Sequence, residues 1–237
     1  MAIYIGTSGW AYPSWKPDFY PAKLPAKKFL EYYATQLNSV EVNFTFRQFP
    51  SESMFTGWLA AKGEDFAFSF KASQRITHFA RLRNCAELVD GFYAALNPVQ
   101  RAKRLGVILF QLPPNLGADV ALLEEFLSYA ARGGIKLAFE FRHPSWFTEE
   151  TYAVMRRHQA ALCVAESDEL ESPDVATAPF RCYRLRKSDY SPTEVDGIVA
   201  QMREHAKAGD IFVYFKHEET PEGALNAVEV LGRLKDA

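Results

Sequence analysis

Eight short β-rich runs, separated by stretches of helical periodicity, constrain this chain more than any other feature. The runs are Ile3 to Gly6, Ser39 to Asn43, Phe66 to Lys71, Val107 to Gln111, Leu137 to Phe141, Leu162 to Ala165, Arg181 to Leu185 and Ile211 to Phe215. Between them lie Ala26 to Gln36, Ser51 to Lys62, Ala86 to Arg104, Ala118 to Ala131, Thr148 to His158, Pro192 to Ala208 and Pro221 to Lys235. Several of these stretches open on residues suited to a helix start: Ser51, Asp119, Thr148, and Ser191 followed by Pro192. Alternating strand and helix calls for parallel strands joined by helical crossovers. Eight such units in 237 residues predict an α/β protein, a (β/α)8 TIM-type barrel, a fold that takes ~250 residues. Glu166 to Pro179 reads as a long loop after strand six, so the seventh and eighth units are expected to be slightly irregular. No G-x-G-x-x-G or P-loop pattern follows a strand, which disfavours an open dinucleotide-binding sheet. No linker, repeat or low-complexity block divides the chain, so a single domain over residues 1–237 is expected.

Residues of alternate parity along a strand share a face. In LAFEFRHPSW, Leu137, Phe139 and Phe141 fall on one face, and Ala138, Glu140 and Arg142 on the other. The third run shows Ala67, Ser69 and Lys71 on the face opposite its aromatics, and the sixth shows Cys163, Ala165 and Ser167. Glu41 and Asn43 in the second run and Arg184 in the seventh repeat the pattern. Small residues deep and polar ones near the strand end describe a filled barrel with a chemically active C-terminal mouth. Burying such charges is costly unless they are paired or functional. Interior ion pairs, Glu140 with Arg142 or Lys71, are therefore the structural alternative.

Composition excludes more than it selects. With 48% hydrophobic residues the chain can fill a sizeable core, and a net charge of -2 gives no bulk attraction to nucleic acid or anionic lipid. Neither a leader peptide nor a membrane span is apparent, so a cytoplasmic protein without a membrane partner is expected. Cys85, Cys163 and Cys182 lack any CxxC spacing and read as small buried hydrophobes. Oligomeric state is left open.

Six ordered blocks, GTSGWAYPSWKPDFYP, FLEYYATQLNSVEVNFTF, FAFSFK with THF downstream, LGVILFQLPPNL, AFEFRHPSW and GALNAVEVL, resemble the YecE-like family, a domain of unknown function. The resemblance covers nearly the whole chain and implies a TIM barrel but no established reaction. The family positions it carries over are Gly6, Ser8, Gly9 and Trp10, then Glu41, Asn43 and Thr45, then Lys71 and His78. Gln111, Pro113, Glu140, Arg142, His143, Trp146 and Asn226 follow. Two departures add positive charge. The family's Arg-Leu-His-Gly appears as Arg184, Leu185, Arg186 and Lys187, and its Phe-Asn-Asn as Phe215, Lys216 and His217.

At the expected mouth Lys71, Arg142, Arg184, Arg186 and Lys216 outnumber Glu41 and Glu140. Converging guanidinium forks suit carboxylate or phosphate oxygens, so a small anionic ligand is expected. Glu41, Glu140 and His143 are the candidate catalytic residues, the two glutamates exchanging protons; Glu41 could equally cap a backbone or pair with Lys71. Candidate substrate-binding residues are Ser8, Asn43, Lys71, His78, Gln111, Arg142, Arg184, Arg186 and Lys216, with Trp10 and Trp146 stacking on the ligand. Other rings of the same loops, Tyr12, Trp15, Phe19, Phe44 and Phe46 among them, are expected to form the loops' own core. An enzyme is expected, acting on a phosphorylated sugar-like or nucleotide-like substrate by hydrolysis, lyase chemistry or isomerisation. The alternative is a nucleotide or nucleic-acid binding protein. No cofactor is expected. Glu41, Glu140, His143 and Asp168 nonetheless resemble the ligand sets of metal-dependent barrels related to xylose isomerase and endonuclease IV, which keeps a divalent metal as an alternative.

Overall fold

A computed structural model describes residues 1–60, 65–167, 170–216 and 219–235. Its strands are β1 (Ile3–Thr7), β2 (Ser39–Val42), β3 (Ala67–Lys71), β4 (Leu105–Gln111), β5 (Lys136–Glu140), β6 (Ala161–Ala165), β7 (Phe180–Leu185) and β8 (Asp210–Phe215). The helices between them are α1 (Phe29–Gln36), α2 (Glu52–Leu59), α3 (Ala86–Arg101), α4 (Val120–Ala130), α5 (Glu149–Arg157), α6 (Pro192–Ala206) and α7 (Glu222–Lys235). All strand pairs are parallel, in the order β1-β8-β7-β6-β5-β4-β3-β2, and form a nearly closed (β/α)8 barrel. The cap residues act as expected: Ser51, Asp119, Thr148 and Ser191 each accept a main-chain N–H of the first turn. Helix α3 stops at Arg101, short of the expected Arg104, because Lys103 adopts φ 57°, the left-handed conformation that ends a helix.

The link from β6 to β7 is the expected exception and contains no helix among its described residues. Thr177 pins it instead. Its buried hydroxyl donates to Ala160 O and accepts from Leu162 N, both at 2.8 Å. Farther along, Tyr183 and His205 join side chains at 2.6 Å.

Strand parity divides the core as anticipated. Outward residues such as Val40, Phe70, Phe110, Phe139 and Val213 pack under the helices, while Val107, Leu109, Ala138, Cys163, Cys182, Phe212 and Tyr214 fill the lumen. All three cysteines are buried free thiols. Above that apolar filling Tyr214 donates to Ser69 (2.6 Å) and bonds Ser39 (2.8 Å). A narrow lumen plugged this way leaves room for function only at its ends.

The ring closes between β1 and β2 with one bridge, Ser8 to Glu41, in place of a full ladder. Side chains supply the remaining bonds. The Asn38 amide accepts from Ile5 N (2.7 Å) and donates to Ile3 O (2.8 Å), as a peptide unit of a strand would. The Tyr33 hydroxyl accepts from Thr7 N (2.8 Å) and donates to Ser39 O (2.9 Å). Tyr33→Phe leaves a buried N–H and a buried carbonyl without this partner and is expected to destabilise the protein by about 2 kcal/mol or more. A urea titration measures it; an unchanged midpoint would show that the seam does not depend on the hydroxyl.

Candidate functional site

Polar side chains from five strand ends meet at the C-terminal mouth. At the centre Arg184, the last inward residue of β7, is 1% exposed. It donates to Glu41 on β2 (2.8 Å) and to Glu140 on β5 (2.5 Å), using a different terminal nitrogen for each. Ser8, just past β1, donates to the same Glu41 oxygen (2.7 Å) and accepts weakly from Arg184 (3.3 Å). Glu140 also accepts from Arg142 (2.5 Å) and from Gln111 (3.1 Å), and Arg186 lies 3.8 Å from it. Strands 2, 5 and 7 are not neighbours, so the guanidinium links carboxylates across the lumen.

This arrangement corrects the expected role of the glutamates. Burial alone would raise the Glu140 carboxyl, but Arg184, Arg142 and Arg186 outweigh it and hold the group at about 2. A wholly buried carboxylate that stays ionised and is gripped by arginines is poorly suited to exchange protons near neutrality. Glu41 and Glu140 hold the same guanidinium between them, leaving no gap there for a water or a substrate atom. Their contacts are those of anchors for Arg184. The pairing of Glu140 with Arg142 is the one anticipated; Lys71 pairs with neither acid.

Two aromatic and histidine assignments are also corrected. Trp146 is fully buried, stacked on Phe141 (4.7 Å between centroids) with its indole N–H donated to Leu116 O (2.8 Å). It cannot stack on a ligand. The parity of Phe141 points outward from the lumen, and Trp146 follows it under the loop. His143 Nδ1 is engaged by Ser145, whose hydroxyl lies at 2.8 Å and whose N–H it accepts at 3.3 Å, capping a short turn over Pro144–Trp146. His143 stands over Gly117, away from the ion-pair centre. Trp10 is half-buried and meets Trp58 edge-on at 5.5 Å.

The remaining candidates divide between two cavities. One, of about 440 Å³, opens between the ends of β2, β3, β7 and β8 and is lined by Asn43, Phe44 and Phe46 together with Arg47, Lys71, Arg184 and Lys216. Asn43 Oδ1 is buried and has no hydrogen-bond partner in the protein. The Lys71 ammonium sits over the Phe46 ring at 4.2 Å from its centroid. Burial, then the adjacent Arg184, lower its proton affinity to about 8, with Glu41 and Glu140 opposing the shift. His78 meets the same ring edge-on (5.0 Å) with Nδ1 bonded to Thr77 (2.9 Å). Burial, then Lys71 and Arg81, push it below its usual range, so it is neutral at physiological pH.

The second cavity, of about 920 Å³, lies past β6 and contains Arg142, Arg186 and Lys187 with Glu166 and Glu171. Glu166 is already engaged, accepting from Arg186 N (2.6 Å), Lys187 N (3.2 Å) and Tyr190 (2.5 Å). Arg47 and Glu166 were missed in the sequence. Arg47 follows the short Phe44–Phe46 turn, whose helical twist hides it from strand parity. Among the described residues no group of three or more His, Cys, Asp or Glu side chains is placed to hold a metal ion. Glu41 and Glu140 face Arg184, and His143 faces Ser145, so these donors do not form a metal site as placed. Asp168 and His217 lie outside the described residues. No helix among those residues is long and apolar enough to cross a membrane.

Known proteins bear on family and fold. UPF0759 protein YecE of Escherichia coli K12 is 34% identical over 148 residues, 62% of this chain and 51% of YecE. The chain thus spans about half the length of that curated relative. A DUF72 family protein of Thermotoga maritima superposes over 99% of this chain and 100% of its own, with a TM-score of 0.86 and 26% identity. The barrel itself is shared more widely. D-psicose 3-epimerase of Clostridium cellulolyticum has a TM-score of 0.60 at 12% identity, covering 100% of this chain and 99% of its own. A family 2 AP endonuclease of Brucella melitensis has 0.55 at 10%, covering 92% of each. The profile of the protein of unknown function DUF72 matches residues 4–237, and with a barrel as the YecE-like blocks imply, the chain belongs to the DUF72 family.

Proposed function

We propose that this protein is an enzyme that binds a small anionic substrate, phosphorylated sugar-like or nucleotide-like, in the 440 Å³ cavity, with Lys71 exchanging protons there. One observation carries the reading. Four cationic side chains, Arg47, Lys71, Arg184 and Lys216, line that cavity and, among the described residues, no carboxylate does. Gathering like charges opposes folding unless something of opposite sign is bound. Burial beside Arg184 lowers the proton affinity of Lys71 to about 8, which suits an acid or base. Arg184 is permanently charged and fixed by its two carboxylates, so it can face developing negative charge without reorganising.

Inorganic phosphate tests the site. At ten times its dissociation constant it is expected to raise the melting temperature by about 3 to 6 °C, whereas sodium chloride at equal ionic strength does not. Lys216→Met should reduce the shift. Arg142→Ala should not blunt it, because Arg142 is turned to Glu140 and the other cavity. No shift at any phosphate concentration would remove the anion site.

A second reading has an observation of its own. Phe44 at the cavity and Phe79 beyond His78 are exposed rings, 36% and 71% accessible, three and two residues ahead of Arg47 and Arg81, a combination suited to stacking nucleobases. Oligonucleotide affinity falling steeply with salt, as several phosphate contacts require, would favour that reading over a small substrate.

A further inference from the structure

We infer that Lys71 is a nucleophilic amine whose Nζ condenses with the carbonyl carbon of an aldehyde or ketone carrying an anionic group. This rests on the anion-binding reading of the same cavity and adds to it a substrate class and a covalent step.

Placement comes first. Lys71 is the final residue of β3, points inward, and lines a cavity of about 440 Å³, a size for a small molecule. Its nitrogen is held over Phe46 at 4.2 Å and makes no ion pair among the described residues. The two carboxylates that face it are engaged elsewhere: Glu41 by Ser8 and Arg184, Glu140 by Arg184, Arg142 and Gln111. Arg184 and Lys216 add positive charge beside it. Desolvation next to fixed cations is the environment that turns a lysine into an amine nucleophile.

Magnitude supports the same assignment. With proton affinity lowered to about 8, roughly two hundred times more of Lys71 is neutral amine at pH 7.4 than of an ordinary lysine. A lysine serving only to hold an anion gains nothing from losing its charge so readily, and Arg47, Arg184 and Lys216 already line the cavity.

The step balances without an outside oxidant. The Nζ lone pair adds to the carbonyl carbon, and the carbonyl oxygen takes up a proton to give a carbinolamine. With a second proton, taken from solvent, that oxygen departs as water while the nitrogen lone pair forms a carbon–nitrogen double bond, protonated at nitrogen. The cationic imine then draws electrons from the neighbouring carbon, the activation needed for isomerase or lyase chemistry at an anionic sugar-like substrate.

Glyceraldehyde 3-phosphate and pyruvate are the probes. Each is incubated with the whole protein, reduced with sodium borohydride, and the adduct located by peptide mass mapping. With at least one probe the adduct is expected at Lys71, about tenfold or more above any other lysine, half-maximal near pH 8 and suppressed by phosphate. Lys71→Arg should abolish it while keeping the phosphate-induced rise in melting temperature. Labelling spread over exposed lysines such as Lys27 and Lys103, or centred on Lys216, overturns the inference. A phosphate shift without an adduct at Lys71 overturns the imine and leaves the anion site standing. Loss of both overturns both.

Discussion

Gly6→Ala is expected to be among the most damaging single-methyl changes in this protein, costing about 4 kcal/mol or more of a total near 5–15. A Cβ built on Gly6 falls 2.0 Å from the main-chain oxygen of Ser39 and 3.0 Å from the Tyr33 hydroxyl. The obstacle is backbone, which cannot rotate aside, so β1 and β2 would have to part at the seam where only one bridge joins them. Gly57→Ala on α2 is the matched control, since a Cβ there meets nothing within 4 Å, and it should be neutral or gain about 0.5–1 kcal/mol from better helix propensity. Guanidinium titrations of the two variants measure the contrast. Equal midpoints would mean that β1 and β2 can separate freely.

Glu140→Gln should cost about 3 kcal/mol or more, because it keeps the shape of the side chain while removing the buried negative charge that Arg184 and Arg142 share, leaving Glu41 alone to balance Arg184. Acid should reproduce part of this loss in the unaltered protein. Its carboxyl is held at about 2 against an ordinary 4.5, so the folded state binds the proton less readily than the unfolded chain. The stabilisation is fully present above pH 4.5 and disappears as pH falls toward 2, a difference of about 3 kcal/mol. Stability of the Gln variant should therefore converge on that of the parent through this window. Adding Arg184→Met should cost less than the two single losses together, as expected of charges that compensate one another. A Gln variant as stable as the parent would return Glu140 to the list of proton carriers.

Much of this could be read from the sequence because strand parity is a local property. Two residues per repeat placed Glu41, Lys71, Glu140 and Arg184 on the inward face, and eight strand–helix units in 237 residues left little but a barrel. Partners were harder to read. Arg184 is 143 residues from Glu41 and 44 from Glu140, and strands that are far apart in the ring meet only across the lumen, which no local period records. Trp146 was misread because five residues past an outward Phe141 the chain has already turned back under its loop. The seam was invisible for a related reason: Asn38 and Tyr33 lie outside any strand and look like ordinary loop and helix residues until their side chains are seen taking the place of a ladder.

That seam has a consequence for synthesis. Counted by main-chain ladders, the sheet is a ribbon whose two edges are β2 and β1, and β1 pairs along its length only with β8, Ile3 against Ile211 and Thr7 against Phe215. The first of the eight strands to leave the ribosome therefore waits for the last before any main-chain ladder satisfies it. Until then Ile3–Thr7 is a strand without a ladder partner on its β8-facing edge, the kind of segment that invites mispairing with other nascent chains. Such separation in sequence slows folding, and it makes the arrival of β8, rather than the formation of any helix, the event that completes the ring and brings Ser8 up to Glu41.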